Sequence, residues 1–350
     1  MKRILFIILL FPCFVASAQT DGYEIHVTVK PFKNQYVYLG HYFGKQLPVI
    51  DSVKLNDNCE GVFKGSKKLG GGIYLIGYPG KNGFFELLID KNQKFSLVAD
   101  TSTLQNKGVH FINSMDNDLF QIYQQAMAEK GKAIEEDKKK LAVAQTSTDS
   151  AHWKNEINKK DKEIKQYREE LIQKNPGTIL STLLITMQEP DLPPALDNPK
   201  TKADSIKAYH FIKEHFWDGV NFWDDRLART PSGLFEAKLD KYFEQIVSLN
   251  PDSVIHEMDW ILGYASISEE MTKFLLLKFV NRYLNQKYMW EDAVFVHLFE
   301  KYFSNQSYPW LSEAGKKTIT NRAYSLMKNI MGTAAMDIEL PDTAGTVRTL

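Results

Sequence analysis

The periodicity of apolar residues changes near residue 113, and this change constrains the fold more than any other feature of the sequence. Before it, short apolar or alternating runs such as YEIHVTV, QYVYLGHYF and IYLIGY are separated by Gly, Asn, Asp or Pro. After it, apolar residues recur at intervals of three and four. The first pattern is typical of strands and the second of helices. The sequence therefore predicts an α+β protein, with an antiparallel β-sandwich or barrel over residues 19–113 followed by a mainly α-helical domain.

The helical part divides into two segments of different character. Residues 114–175 are highly charged, and in AHWKNEINKKDKEIKQYREELIQKN the apolar residues Ile157, Ile164 and Leu171 recur every seven positions. Such a narrow apolar stripe is typical of a helical hairpin or a short coiled coil. We therefore predict a charged helical hairpin or linker over this segment, and an α-helical domain over residues 176–331.

The N-terminus has the features of a secretory signal peptide. A basic start, KR, precedes the apolar run ILFIILLFPCFV, which is too short to span a bilayer, and a small-x-small sequence ends at Ala18. Residues 1–18 are therefore predicted to be removed by cleavage before Gln19, which places the product in the periplasm. A lipid-modified cysteine follows a small residue, whereas Cys13 follows Pro12, so we do not expect a lipoprotein.

Composition restricts the partners and the redox chemistry of the predicted mature chain. Lys+Arg and Asp+Glu each number 43, so no overall basic field attracts nucleic acid, and peripheral membrane contact is not indicated. Cleavage after Ala18 leaves Cys59 as the remaining cysteine. It lies at a turn, with no partner cysteine and no neighbouring cation in the sequence, so we predict no redox centre within this chain.

No stretch of the sequence carries a catalytic or metal-binding motif. His210 and His215 are five residues apart and so fall on different faces of a helix, and the HEMDW sequence at His256 has no second His four residues later. The three glycines at 70–72 are not followed by the Lys and hydroxyl of a phosphate-binding loop, so we interpret them as a turn or bulge. We therefore expect no catalytic residue, metal or cofactor here.

One stretch, HFWDGVNFWDDRLARTP at residues 215–231, combines aromatic and acidic residues at unusual density. In one interpretation, Trp217, Phe222, Trp223 and Asp224 form a surface for an extended peptide, a client protein or a glycan. In the other, which we favour, the aromatic residues pack into the core, an aspartate caps the next helix and an arginine pairs with an acid.

The sequence GTAAMDIELPDTAGTVRTL, residues 332–350, predicts a β-hairpin in which MDIEL and TVRTL flank a turn. It resembles the opening of a redoxin (AhpC/TSA) domain of the thioredoxin-like superfamily, which has an Ala-Pro pair, a short strand, an Asp, a turn with Gly and then a Leu. Asp342, Gly345 and Leu350 match this pattern, whereas Met336 replaces the usual proline.

The arrangement of the whole mature chain resembles the Gram-negative envelope thiol–disulfide oxidoreductases of the TlpA/ResA type. The patterns IDS and GVFKG of the β region, together with FWDGVNFWDD and PW of the helical region, carry this likeness. In such proteins a β-domain and a helical domain precede a thioredoxin-like domain, whose Cys-x-x-Cys pair lies beyond the segment present here. The resemblance implies a chain truncated at the start of that domain.

The function implied by this resemblance is that of an exported accessory region without redox turnover of its own. It would position the thioredoxin-like domain, recognise thiol-bearing client proteins, or dimerise. The main alternative is a stand-alone envelope binding protein whose helices form a peptide- or glycan-binding groove, and a third is a purely structural envelope protein. The client and the oligomeric state stay open.

Overall fold

The structure is a computed structural model that describes residues 22–81, 83–104, 108–332 and 339–349. A region of strands comes first and a region dominated by helices follows it, so the predicted α+β class is confirmed. The predicted signal peptide, residues 1–18, and its cleavage site lie outside the described residues. Among the helices that are described, none is long and apolar enough to cross a membrane.

Eight described strands form the N-terminal region, and each is short. The frequent Gly, Asn, Asp and Pro residues of this part of the sequence end one strand and begin the next turn. The strands are β1 (Tyr23–Lys30), β2 (Tyr36–His41), β3 (Val49–Lys54), β4 (Glu60–Gly65), β5 (Gly72–Gly77), β6 (Phe84–Ile89), β7 (Lys94–Asp100) and β8 (His110–Ile112).

The strands form two four-stranded sheets packed face to face. Their orders are β4-β1-β7-β8 and β3-β2-β5-β6. Alternate residues of the strands point into one shared core, where Ile25, Leu39, Phe63, Ile76 and Leu97 are almost fully buried. This alternation is the period-two pattern from which the sandwich was predicted.

One strand pairing departs from the predicted antiparallel sandwich. β1 and β7 run parallel, with Ile25 opposite Phe95 and Val27 opposite Leu97, whereas the other pairings described in the sandwich are antiparallel. Parallel neighbours need a crossover connection. Here the chain passes through β5 and β6 of the second sheet before it returns to the first sheet as β7, in the same direction as β1.

Nine α-helices follow among the described residues, and short 3₁₀ and π turns interrupt the series. The 3₁₀ turn is Asp225–Arg229 and the π turn is Tyr242–Ile246. The helices are α1 (Met115–Ala142), α2 (Ser147–Lys174), α3 (Ile179–Met187), α4 (Lys202–His215), α5 (Phe235–Lys241), α6 (Pro251–Ala265), α7 (Glu269–Tyr283), α8 (Glu291–Tyr302) and α9 (Glu313–Met327).

Helices α1 and α2 form the charged hairpin that the sequence predicts, and its base is docked on the sandwich. Phe120 and Tyr123 of α1 and Leu171 of α2 pack in one cluster with Ile73 of β5 and Leu88 of β6. The segment is therefore part of the packed structure and does not act as a free linker. This contact explains why β5, with the sequence GIYLIG, is buried on both faces.

A buried asparagine fixes the start of α1 to the edge of the second sheet. The side chain of Asn117 accepts a hydrogen bond from Leu88 N (2.6 Å) and donates one to Leu88 O (2.8 Å). These are the two bonds that a neighbouring strand would make with β6. Because an unpaired strand edge is a site for unwanted pairing, Asn117 protects the edge of β6 at this position.

The helical domain has its own apolar core, built on the helix faces that the sequence predicts. Leu275, Phe279 and Tyr283 of α7 are all buried and pack with residues of the neighbouring helices. α6 begins after the N-cap Asn250, whose side chain accepts a hydrogen bond from Ser253 N. The apolar periodicity after residue 113 therefore reflects a real helix–helix core.

The predicted C-terminal hairpin is present between β9 (Glu339–Pro341) and β10 (Val347–Thr349), which pair with each other. Asp342 forms the turn by accepting hydrogen bonds from Ala344 N and Thr346 N. Every residue of both strands is exposed. The first part of the predicted strand, with Met336, lies outside the described residues. That the hairpin opens a thioredoxin-like domain stays a prediction.

Candidate functional site

Two arginines of the 3₁₀ turn Asp225–Arg229 join the helical domain to the sandwich. Arg226 Nη1 donates to Asp90 Oδ2 at 3.0 Å, and its Nη2 donates to Asp224 Oδ2 at 2.6 Å and to Thr182 Oγ1 at 2.8 Å. The hydrogen bond to Asp224, opposed by burial, is the main reason that the pKa of Arg226 is raised. The guanidinium therefore stays charged between two carboxylates that are themselves largely shielded from solvent.

Arg229 makes the second connection and explains the three glycines at positions 70–72. Its Nη1 donates to Gly71 O at 3.2 Å and to Asp225 Oδ2 at 2.9 Å. A Cβ added at Gly72 would lie 2.3 Å from the Cβ of Arg229 and 3.1 Å from its carbonyl oxygen. The glycines therefore allow a helical-domain arginine to pack directly on the backbone that leads into β5.

A cleft of about 710 Å³ lies between the turn joining β2 to β3 and the helices α5 and α7. The sandwich contributes one wall through a tight turn closed by paired backbone hydrogen bonds between Phe43 and Gln46. The helical domain contributes the other wall. The lining residues are Phe43, Gly44, Lys45, Gln46, Glu236, Asp240, Phe274, Leu277, Lys278, Asn281, Arg282, Asn285, Lys287 and Glu291.

Two acidic residues of this cleft, Glu236 and Asp240, are neutralised within its wall. Lys278 Nζ donates to Glu236 Oε1 at 2.7 Å and to Asp240 Oδ2 at 2.8 Å. Arg282 Nη1 donates to Asp240 Oδ1 at 3.1 Å and to Glu244 Oε1 at 3.4 Å. Since α5 and the π turn after it supply the carboxylates and α7 the cations, this network also fixes α7 against α5 and that turn.

Other polar groups of the cleft are left without a protein partner. Glu236 Oε2 and Arg282 Nε are buried and make no hydrogen bond. The exposed amides of Asn281 and Asn285 make no side-chain hydrogen bond with another described residue. An unpaired buried polar atom is unfavourable. Of these groups, the exposed amides of Asn281 and Asn285 are the donors and acceptors available to a ligand.

The aromatic and acidic residues that the sequence singled out do not form one surface. Trp217 and Phe222 are only 7% and 3% exposed and belong to the core of the helical domain. Asp224 caps the 3₁₀ turn and pairs with Arg226. The interpretation as a peptide, client or glycan surface is therefore wrong for these three residues, because their ring and carboxylate groups are used inside the fold. Trp223, at 43% exposed, is the exception.

Trp223 belongs to a small exposed aromatic face with two residues of α6. Its ring centroid lies 6.3 Å from that of Tyr264, and the Tyr264 and Trp260 centroids are 5.3 Å apart. Both α6 residues are about as exposed as Trp223. The face rests on the core through an edge-to-face contact between Trp260 and buried Phe222 at 5.6 Å.

A second groove, of about 510 Å³, lies between α2 and the segment that follows α4, and His215, Phe216 and Asp218 are in its lining. Beside it, Lys238 is buried against the ring faces of Phe216 and Trp217, with its Nζ donating to the carbonyl of Gln188 at 2.5 Å. Burial lowers the pKa of Lys238 to about 8. Because Gln188 ends α3, the ammonium serves as a C-terminal cap of that helix.

The described residues hold no arrangement suited to a metal ion or to thiol chemistry. None of their His, Cys, Asp and Glu groups is placed to hold a metal. Cys59, the one cysteine in the described part of the chain, is 4% exposed. Its thiol is closed off from an external disulfide in this conformation, since exchange requires direct attack by a thiolate on a sulfur atom.

A family model matches a large part of the helical region. The model described as Domain of unknown function (DUF5106) matches residues 147–329, which is more than half of the chain. The chain belongs to the DUF5106 family. The matched DUF5106 segment runs from the start of α2 through the end of α9, and so contains the helical wall of the cleft and both joining arginines. No curated protein and no solved structure matches the chain.

Sequence reasoning did not find the cleft, although α7 carries a signal for it. Lys278, Asn281, Arg282 and Asn285 recur at intervals of three and four on a helix whose other stripe is apolar. A polar stripe on a core helix normally faces solvent. That it faces a turn of the sandwich depends on how the two parts of the chain pack, and no local pattern contains that information.

Proposed function

We propose that this chain is the exported accessory region of a thioredoxin-like thiol–disulfide oxidoreductase, and that it recognises client polypeptides without carrying the redox centre. The observation that carries the proposal is the cleft between the two parts of the chain. It is large enough for several residues of a polypeptide and offers both apolar and hydrogen-bonding groups. Such a cleft suits recognition, and the described residues around it include no nucleophile–base pair that would suit catalysis.

Three features of the chain support the thioredoxin-like context. The hairpin of β9 and β10 has the turn residues of a redoxin opening, with Asp342 and Gly345 in the matching positions. Its exposed strand residues Leu340 and Val347 have the apolar character expected of a strand that would be covered in a larger sheet. The single buried thiol of Cys59 fits a region that selects clients while another domain supplies the cysteine pair.

The test is binding of an unfolded polypeptide to the chain lacking residues 1–18. The probe is ribonuclease A that has been reduced and carboxamidomethylated, so that it is permanently unfolded and has no free thiol. We expect saturable binding by isothermal titration calorimetry, and no binding of native ribonuclease A. Absence of binding to the unfolded form, or equal binding of both forms, would contradict client recognition.

The exposed aromatic face favours a second candidate, a stand-alone envelope protein that binds glycan. Trp223, Trp260 and Tyr264 present ring faces on which a sugar ring can stack. Isothermal titration calorimetry with laminarihexaose and with chitohexaose tests this. Saturable binding that is lost in Trp223→Ala/Trp260→Ala, and retained in Tyr288→Ala at a separate exposed site, would support the glycan candidate over the accessory role.

A further inference from the structure

We propose that the cleft binds an extended peptide segment that carries an acidic group beside an apolar side chain. This inference rests on the function proposed above and names the chemical class of the client segment. The peptide main chain lies along α7, its apolar side chain contacts the aromatic end of the cleft, and its acidic group meets two lysines that come from opposite walls.

The two exposed asparagines at the end of α7 are spaced to hold a peptide backbone. The chain stays helical through Leu284 (φ −61°, ψ −38°), so Asn281 and Asn285 are one turn apart. Four residues of an α-helix rise about 6 Å along the axis, close to the ~6.7 Å between alternate residues of an extended chain. Each carboxamide has a donor and an acceptor and can bond both the N–H and the C=O of one peptide residue.

The end of the cleft nearest the sandwich is lined by aromatic rings, and Lys273 Nζ lies 4.9 Å from the ring centroid of Phe43. Phe43 and Phe274 meet edge to face with ring centroids 5.6 Å apart, and Leu277 lies on the same face of α7. An aliphatic side chain placed against this group removes apolar surface from water on both partners. Since successive side chains of an extended peptide alternate in direction, the apolar residue and the acidic one point in opposite directions, the first to the aromatic end and the second to the lysines.

The exposed charges around the cleft that form no ion pair with another described residue are positive and come from both walls. Lys45, in the turn of the sandwich, and Lys287, after α7, are exposed and form no ion pair with another described residue. By contrast, Glu236 and Asp240 are paired with Lys278, and Glu291 accepts hydrogen bonds from backbone N–H groups. The field presented to a ligand therefore favours a carboxylate.

Two buried atoms lie beside the cleft without a hydrogen-bond partner, Glu236 Oε2 and Arg282 Nε. The turn at Gly44 lies over the first of them, since a Cβ on that glycine would stand 3.7 Å from Glu236 Oε2. Because both atoms are closed off from solvent, the peptide is recognised by the exposed amides and lysines of the cleft.

The probes are fluorescein-labelled nonapeptides of alternating aspartate and leucine, measured by fluorescence anisotropy with the chain lacking residues 1–18. Asn281→Ala/Asn285→Ala is expected to weaken binding about tenfold, because two hydrogen-bonding side chains are removed. Asn155→Ala/Asn158→Ala is the matched control, since these exposed asparagines lie on α2 away from the cleft. The control is expected to bind like the wild type.

Charge and backbone recognition are tested separately. Lys45→Glu/Lys287→Glu should weaken binding by about tenfold or more at low salt, whereas Lys154→Glu/Lys159→Glu on α2 should not. A peptide with lysine in place of aspartate, and one N-methylated at alternate amides, should each bind weakly to the wild type. These results together would support the proposed orientation of the peptide.

Two results would overturn the inference. One is absence of binding of the acidic peptide to the wild-type chain, and the other is equal binding by the cleft variants and their controls. If unfolded ribonuclease A still binds the wild type in either case, the accessory function stands and the assignment to this cleft fails. If unfolded ribonuclease A does not bind either, the proposed function fails as well.

Discussion

Arg226 and Asp90 are 136 residues apart in the sequence and form an ion pair of 3.0 Å between the helical domain and the sandwich. Both side chains are largely shielded from solvent. Arg226→Met should lower the free energy of unfolding by about 3 kcal/mol, since it leaves Asp90 and Asp224 buried without their cation. Urea denaturation of Arg226→Met, Asp90→Asn and the double variant checks this. Energies that add without coupling would show that the pair does not stabilise the junction.

Gly72, the first residue of β5, should tolerate no side chain. Gly72→Ala should destabilise the protein by about 2 kcal/mol or more, because the new Cβ meets the Cβ and backbone of Arg229, which cannot move aside. Gly131→Ala is the matched control. It lies within α1 with nothing near the added methyl group, so it should stabilise by about 1 kcal/mol. Equal effects of the two variants on the thermal melting temperature would contradict this account of the glycines.

The buried and exposed halves of the FWDGVNFWDD stretch should respond differently to truncation. Phe222→Ala should cost about 3–5 kcal/mol of stability, since it removes a fully packed ring from the core. Trp223→Ala should cost less than about 1 kcal/mol, because the Trp223 side chain is substantially exposed. Denaturant midpoints measure both. A large loss of stability in Trp223→Ala would show that the aromatic face is part of the packed core.

Lys238 should make the stability of the protein depend on pH above about 8, because burial lowers the pKa of its ammonium. Its pKa is lowered by burial to about 8, from the ordinary value of 10.5. Between these values the unfolded chain binds more protons than the folded one, so the free energy of unfolding should rise as pH increases from about 8 towards 9.5. Below pH 8 Lys238 adds no pH dependence to the free energy of unfolding, because its amine is then protonated in both the folded and the unfolded chain.

Substitution of Lys238 separates its effect on the pH dependence of stability from the effects of the other titrating groups. Lys238→Met should raise stability at pH 7.5 and remove most of the rise between pH 8 and 9.5. Lys154→Met, at an exposed position on α2, should leave the pH profile unchanged. Urea midpoints at half-unit pH intervals provide the measurement. A wild-type profile in the Lys238→Met variant would mean that the cation–carbonyl and cation–aromatic contacts keep its pKa near the ordinary value.

The sequence predicted those parts of the structure that depend on local periodicity. Alternation at Ile25 and Val27 indicated a strand with one buried face, and the spacing of Leu275 and Phe279 indicated a helix with one buried stripe. Asn250, which caps α6, is of a residue type that favours the N-cap position through its own side-chain chemistry. Each of these features is set by residues within a few positions of one another.

Features that depend on packing between distant segments could not be predicted in the same way. The parallel pairing of β1 with β7 results from the path of the chain through the second sheet. The role of Gly72 depends on Arg229, which is far away in sequence, and the cleft needs Phe43 and Lys278 from different parts of the chain. An aromatic such as Trp217 looks the same in the sequence whether it ends in a core or on a surface.

Hydrogen–deuterium exchange with and without unfolded ribonuclease A tests the central claim most directly, because it locates the contact as well as detecting it. Recognition in the cleft predicts slower amide exchange in both walls, in peptides covering residues 43–46 and residues 274–287, with little change in the middle of α2. Protection confined to Trp223 and α6, or no protection anywhere, would contradict the proposal that the junction of the two regions is the client-binding site.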